Sequence, residues 1–370
     1  MSEIKIPGLV DMHVHFREPG FPYKETIRSG SEAAAAGGFT AVCTMPNLNP
    51  VPDSPESLLL QQRIIDSDAL IKVIPFASIT MGRKGDELVN YRLLAPYVAG
   101  FSDDGSGVQD EEVMRRAMAA IAPTGKILAA HCEVESLLNG GYVHDSALMR
   151  GRGHKGISSE SEWKEIERDI RLAEETGCRL HICHISTKEG VELVREGKRR
   201  GVKVTAETAP HYLAFCDEDV QEDGRFKMNP PLRSAADREA LCHGVADGTI
   251  DVIATDHAPH SAEEKARGLK GSAMGVVGLE TAFAAVYSVM VKPGRMSMAR
   301  LIEAMSLKPR QILGLPFDEG DYFIADLEEE FTVDPVAFHT LGSVTPFAGM
   351  KLYGVVKETY FNGKKVYEKR

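Results

Sequence analysis

Asp11-Met12-His13-Val14-His15 is the segment of this chain best equipped for chemistry. In a strand, residues i and i+2 point to one face, so His13 and His15 would project together. Neutral imidazoles are ligands for Zn²⁺ and related ions. A pair of hydrogen-bonded core histidines is the plainer alternative, and the triplet alone does not separate the two. Other residues decide it. Asp103-Asp104, His131, His184 in His181-Ile182-Cys183-His184, and Asp256 in Ala254-Thr255-Asp256-His257-Ala258-Pro259-His260 each close a short apolar run. His13, His15 and Asp256 can serve one ion, and His131 and His184 another. Asp104 is placed to bridge them. Two ions about 3.5–4 Å apart would share and acidify one hydroxide, the reagent of metal-assisted hydrolysis. His181 reads as the partner of a ligand, and His257 as a group that could orient Asp256. His144, His154, His243 and His339 lie away from the run ends and read as surface or packing residues.

These groups converge only if the runs that carry them are neighbouring strands. The runs are Leu9–Val14, Ala41–Met45, Ile71–Ala77, Gly100–Ser102, Ile127–His131, Leu180–His184, Val202–Glu207 and Asp251–Thr255. They are nearly continuous in apolar residues, as strands buried on both faces must be. Amphipathic stretches fall between them, at Glu25–Ala36, Asp110–Ala120, Glu160–Thr176, Lys188–Arg199 and Ala236–Asp247. Strand–helix alternation of this kind predicts an α/β protein, a (β/α)8 TIM-like barrel whose strand C-termini gather the site. An open doubly wound sheet is the alternative, but no Gly-rich phosphate loop follows any run. Further helix is expected over Gly278–Val291 and Ser297–Leu313. Short strands are expected at Glu330–Val333, Lys351–Val356 and Glu358–Val366, the last around an Asn362-Gly363 turn. The expected division is a barrel over 7–315 and a small, reduced C-terminal β appendage over 316–370.

Of the 370 residues 43% are hydrophobic and 26% charged, ordinary for a folded domain, and the net charge is −11. That balance argues against nucleic acid as a partner, and any anionic substrate must be caught by local charge. No run is long enough for a membrane span. Six cysteines without a CxxC pair, and an N-terminus without an apolar leader, point to reduced thiols and the cytoplasm.

The motifs extend beyond the ligand candidates. They are Gly8-Leu9-Val10-Asp11-Met12-His13-Val14-His15-Phe16-Arg17-Glu18-Pro19-Gly20, Thr44-Met45-Pro46-Asn47, Phe101-Ser102-Asp103-Asp104-Gly105, Lys227-Met228-Asn229-Pro230-Pro231-Leu232-Arg233 and Ile253 through His260. On these the chain resembles the bacterial class I dihydroorotases of the amidohydrolase superfamily, from about Pro7 to Val366. The resemblance implies reversible hydrolysis of (S)-dihydroorotate to N-carbamoyl-L-aspartate in pyrimidine (UMP) biosynthesis. It implies two zinc ions per chain, one held by His13, His15, Asp104 and Asp256, the other by Asp104, His131 and His184. Asp104 bridges in this branch where other branches use a carboxylated Lys. Asp256 would be general base and then general acid. His15, Arg17, Asn47 and His260 would contact the substrate on its carboxylate side, Asn229 would take the ring amide, and backbone at Met274-Gly275 would close over the ring. Arg17 suits the carboxylate because its planar fork binds in two places. A homodimer is expected, as is, in some relatives, a complex with aspartate carbamoyltransferase. Rival readings are another cyclic amidohydrolase, such as an allantoinase or hydantoinase, and a non-catalytic partner protein. Departures from the family pattern are a shorter N-terminal stretch, a shortened segment around Gly320–Glu330 and Met274 where Phe is common. The first two predict an incomplete β-sandwich with edges to be covered.

Overall fold

A strand that is apolar along its whole length is stable only with both faces covered, and the eight predicted runs are all placed that way. A computed structural model of the chain describes residues 3–369. The strands are β1 (Glu3–Pro7), β2 (Leu9–Val14), β3 (Phe39–Thr44), β4 (Lys72–Pro75), β5 (Gly100–Phe101), β6 (Ile127–Ala130), β7 (Val143–His144) and β8 (Gly156–Ile157). They continue with β9 (Arg179–Ile182), β10 (Val204–Thr208), β11 (Val252–Ile253), β12 (Tyr322–Thr332), β13 (Lys351–Phe361) and β14 (Lys364–Glu368). Strands β2-β3-β4 and β5-β6-β9-β10-β11 form two parallel arcs. Bridges between Ala77 and Phe101 and between Val14 and His257 join the arcs into a ring. Ser102 N–H donates to Ala77 O at 2.9 Å at one join, and His15 N–H to His257 O at 2.8 Å at the other. This is the predicted eight-stranded parallel barrel.

Helices Glu160–Thr176 and Lys188–Arg199 have the predicted bounds, and Ile27–Ala36, Glu111–Ile121 and Ala235–Asp247 differ from expectation by one or two residues. Gly177 ends the first of these with φ of 70°, a conformation that glycine adopts without strain. The two later helices are less regular than their sequences suggest. Each contains a wide turn, at Tyr287–Val291 and Glu303–Leu307. Met12, Cys43, Phe76, Ala129, Cys183 and Val252 make an apolar cluster drawn from strands around the ring, joined by Ile312 of helix Lys308–Leu313.

The remaining sheet has the order β1-β12-β13-β14 and is antiparallel throughout. It differs from expectation in three ways. β12 and β13 are each 11 residues long, so Lys351–Val356 and the start of Glu358–Val366 are one strand. β12 begins at Tyr322, well before Glu330, because a register shift between Asp326 and Glu330 absorbs an acidic stretch that hides the alternation. β1 lies outside the predicted elements and supplies a strand from the N-terminal end, with Glu3 opposite Asp326 and Pro7 opposite Tyr322. The Asn362-Gly363 turn is present, with φ of 51° and 73°, the left-handed pair that a tight hairpin needs. No helix among the described residues is long and apolar enough to cross a membrane.

Candidate active site

The ends of the barrel strands bring the predicted ligands together. His13 at the end of β2 and His15 just past it have ring centroids 5.2 Å apart. Asp104 follows β5 and stands among the imidazoles. Its Oδ1 is 3.4 Å from His13 Nε2, 3.4 Å from His184 Nε2 and 3.5 Å from His131 Nδ1. Its Oδ2 is 3.5 Å from His15 Nε2. Asp256, after β11, puts Oδ1 3.1 Å from His15 Nε2 and 3.5 Å from His13 Nε2. Asp104 therefore stands between the His13–His15 pair and the His131–His184 pair. His184 and Asp256 hold positive φ of 31° and 48°, sparsely populated for side-chain-bearing residues and a recurrent property of functional sites.

The donor set fits metal ions. His13 Nε2 and Asp104 Oδ1 are buried and have no hydrogen-bond partner, a costly condition unless a cation takes their lone pairs. Ligand atoms of His13, Asp104 and His184 lie within 4.8 Å of one another, as do those of His13, His15 and Asp256. Outer contacts aim the imidazoles. His13 Nδ1–H donates to Glu207 Oε1 at 2.6 Å, and His15 Nδ1–H to Asn47 Oδ1 at 2.9 Å. Each bond turns Nε2 and its lone pair toward the cluster.

Electrostatics agree. Burial would push the Asp104 carboxyl up, but His13, His131 and His184 outweigh it and hold it well below the usual carboxylate range. Burial likewise opposes ionisation of Asp256, and His15 and His13 reverse that. Asp256 is thus a carboxylate at neutral pH, able to accept a proton.

A cavity of about 220 Å³ opens onto this cluster, lined by His15, Arg17, Asn47, Asp104, Gly105, His131, His184, Asn229, Asp256, Ala258, Met274 and Gly275. Arg17 is buried, which pushes its guanidinium down to about 10. The guanidinium makes one hydrogen bond, Nε–H to Pro259 O at 3.3 Å, and no ion pair among the described residues. Asn229 donates from Nδ2 to Glu133 Oε1 at 2.9 Å, and its buried Oδ1 has no partner. A carboxylate can only accept, so Glu133 fixes the Asn229 amide with its acceptor oxygen left free.

Some expectations need correction. His257 does not face Asp256. His257 Nε2 lies 3.2 Å from Glu25 Oε2, and Nδ1 accepts from Gly278 N–H. His260 stands behind the cavity wall, its Nε2 donating to Met274 O at 2.8 Å and its Nδ1 3.2 Å from Lys24 Nζ. Burial, with Arg17 and Lys24 nearby, pushes His260 down to about 3 and keeps it neutral. Three of the four backbone polar groups of Met274-Gly275 are already engaged: Met274 O by His260, Gly275 O by Lys265 and Gly275 N–H by Lys227 O. His181 does serve a ligand's partner, with Nε2 3.1 Å from Glu207 Oε2.

Four residues escaped the sequence reading. Glu207 could have been found, since it closes the seventh run as the ligand candidates close theirs. Glu133, two residues past His131, carried a similar signal. Arg83 donates to Asp104 O at 2.6 Å from a distant loop. His211 is buried with an unpartnered Nε2 and is pushed down to about 4 by burial. Nothing local in the sequence marks either.

Comparison with known proteins agrees with this geometry. Residues 2–190 match the family described as dihydro-orotase-like. The dihydroorotase of Geobacillus thermodenitrificans is 49% identical over 98% of this chain and 87% of its own length. The dihydroorotase of Fusobacterium nucleatum is 49% identical over 97% of this chain and 86% of its own. The chain belongs to the dihydroorotase family. Membership puts it among the amidohydrolases. The L-hydantoinase of Arthrobacter aurescens superposes with a TM-score of 0.89 at 25% identity, covering 99% of this chain and 86% of that one. The dihydropyrimidinase of Brevibacillus agri superposes with a TM-score of 0.85 at 19% identity, over 100% of this chain and 86% of that one, a likeness of fold alone.

Proposed function

We propose that the chain is a dihydroorotase that interconverts dihydroorotate and N-carbamoyl aspartate on two zinc ions. One observation carries the reading. One cavity is lined by Asp104, His15, His131, His184 and Asp256, together with Arg17, which has no ion pair among the described residues, and Asn229, whose acceptor oxygen is free. His13, His15, Asp104 and Asp256 would hold one ion and Asp104, His131 and His184 the other. When bound, such ions supply Lewis acidity that polarises an amide carbonyl and acidifies water at neutral pH.

The chain's own residues do the rest. Arg17 meets the substrate carboxylate with its free Nη groups, and Asn47, whose Oδ1 is taken by His15, adds its Nδ2–H. Asn229 Oδ1 accepts a ring N–H. Together these orient the ring so that its scissile carbonyl faces Asp104. Asp256 accepts the proton lost by the attacking water and delivers it to the leaving ring nitrogen. His260, neutral, holds Met274 in place at the edge of the ring. Among the residues that line the cavity there is no lysine, which supports an aspartate bridge over a carboxylated lysine. The six cysteines are all free and buried, which fits a cytoplasmic setting. A homodimer and a complex with aspartate carbamoyltransferase remain proposals from the family resemblance.

The test is turnover of dihydroorotate by purified protein beside hydantoin and allantoin. Turnover of dihydroorotate alone is the expected result. Turnover of hydantoin in preference would transfer the chain to the hydantoinase reading.

A further inference from the structure

The segment 261–275 follows the last ligand strand and leads to the cavity wall at Met274-Gly275. Its charged composition suggests a solvated loop, and Glu263, Arg267 and Lys270 are indeed on its surface. Lys265 is not. It is 4% exposed, and its ammonium donates to three backbone carbonyls: Gly275 O at 2.7 Å, Ala273 O at 2.8 Å and Lys227 O at 3.1 Å. Among the described residues the ammonium has no other hydrogen-bond partner. An ammonium has three N–H donors, so this one is saturated. A buried lysine held by neutral acceptors alone is an expensive arrangement, and burial pushes it down to about 7.

The three carbonyls belong to two walls of one cavity. Lys227 lies two residues before Asn229, and Asn229 and Gly275 both line the cavity. The walls also touch directly, through Gly275 N–H to Lys227 O at 3.0 Å. Ser272 Oγ–H donates to Lys265 O at 2.8 Å and Ala273 N–H to Glu264 O at 3.0 Å, so the loop folds around the lysine. The fit has no slack: a Cβ on Gly275 would sit 2.7 Å from Ala258 O.

We propose that Lys265 is a positioning residue for substrate binding, its ammonium fixing the separation of the Asn229 and Gly275 walls and so setting the affinity for the ring. The inference rests on the reading of this cavity as the dihydroorotate site. An ammonium on three carbonyls is stronger than the neutral bonds that could replace it, and it binds no metal ligand, so its loss should act on substrate binding.

The experiment compares zinc-loaded wild type, Lys265→Met and Lys265→Gln in steady-state turnover of dihydroorotate, with metal analysis and amide exchange of peptides spanning 261–276. KM should rise about tenfold or more in Lys265→Met and by less in Lys265→Gln, while kcat stays within about twofold and zinc content is unchanged. Exchange should quicken in 261–276 and not in the barrel strands. KM within about twofold of wild type in both variants would overturn the proposal, as would a joint loss of kcat and zinc. If Lys265→Met does not fold, Lys265→Gln decides alone. Absence of wild-type turnover would fail the functional reading instead, and the exchange data would still decide whether the lysine pins the walls.

Discussion

Asp104 in the barrel mouth and Glu280 in the seam between barrel and C-terminal sheet are both carboxyls removed from water. Their proton affinities move in opposite directions. Glu280 borders a cavity of about 260 Å³ shared with Phe283, Phe331, Phe338 and Tyr367. It accepts from His339 N–H at 2.8 Å and Thr340 N–H at 3.2 Å, yet burial pushes it up to about 8. Asp104 is more deeply buried, but imidazoles surround it and hold it ionised. The contrast shows what each region is for. A carboxyl that only ties a loop to a sheet can keep its proton. One that would present lone pairs to a cation is surrounded by imidazoles that favour its charge and would share in holding the ion.

Breaking the mouth should cost most. Asp256→Ala should lower kcat by about 10³-fold or more with an unchanged circular dichroism spectrum. Retained turnover would remove Asp256 from the proton path. Glu207→Gln tests the aim of His13 without touching a ligand, and zinc affinity, measured by competition with a chelator, should fall about 10–100-fold. Arg17→Ala should raise KM roughly tenfold or more at nearly constant kcat, and an unchanged KM would mean that the carboxylate is held elsewhere. The smallest effect belongs to the seam. Because the folded state raises the Glu280 pKa from 4.5 to about 8, the stability this group contributes is full below about pH 4.5 and lost as pH rises through about 8. Glu280→Gln keeps the acceptor oxygen and removes the titration. Its melting temperature should match wild type at about pH 5 and exceed it by a few degrees at about pH 9. Equal values at both pH values would place no ionisation cost in the seam.

The barrel and the ligands were legible because both depend on local signals. Apolar runs mark buried strands, and a His or Asp at the end of five of the eight marks the mouth. His13 and His15 needed only the strand period of two. The contacts that aim them were less legible, since Glu207 closes a run without being a ligand. Glu3-Ile4-Lys5-Ile6 alternates as a strand should, but four residues carry little weight until β12 pairs with them. The acidic stretch 326–330 hid one long strand behind a register shift. Lys265 was beyond reach. A lysine among Glu, Arg and Lys looks solvated, and only the packed loop reveals three carbonyls around it. The charge of a buried group is a property of its neighbours in space.

Zinc titration of the metal-stripped protein tests the central claim most directly. Activity on dihydroorotate should be lost to chelation, return with added zinc and level off at two ions per chain. A plateau at one ion, or turnover that survives chelation, would contradict a two-metal site bridged by Asp104.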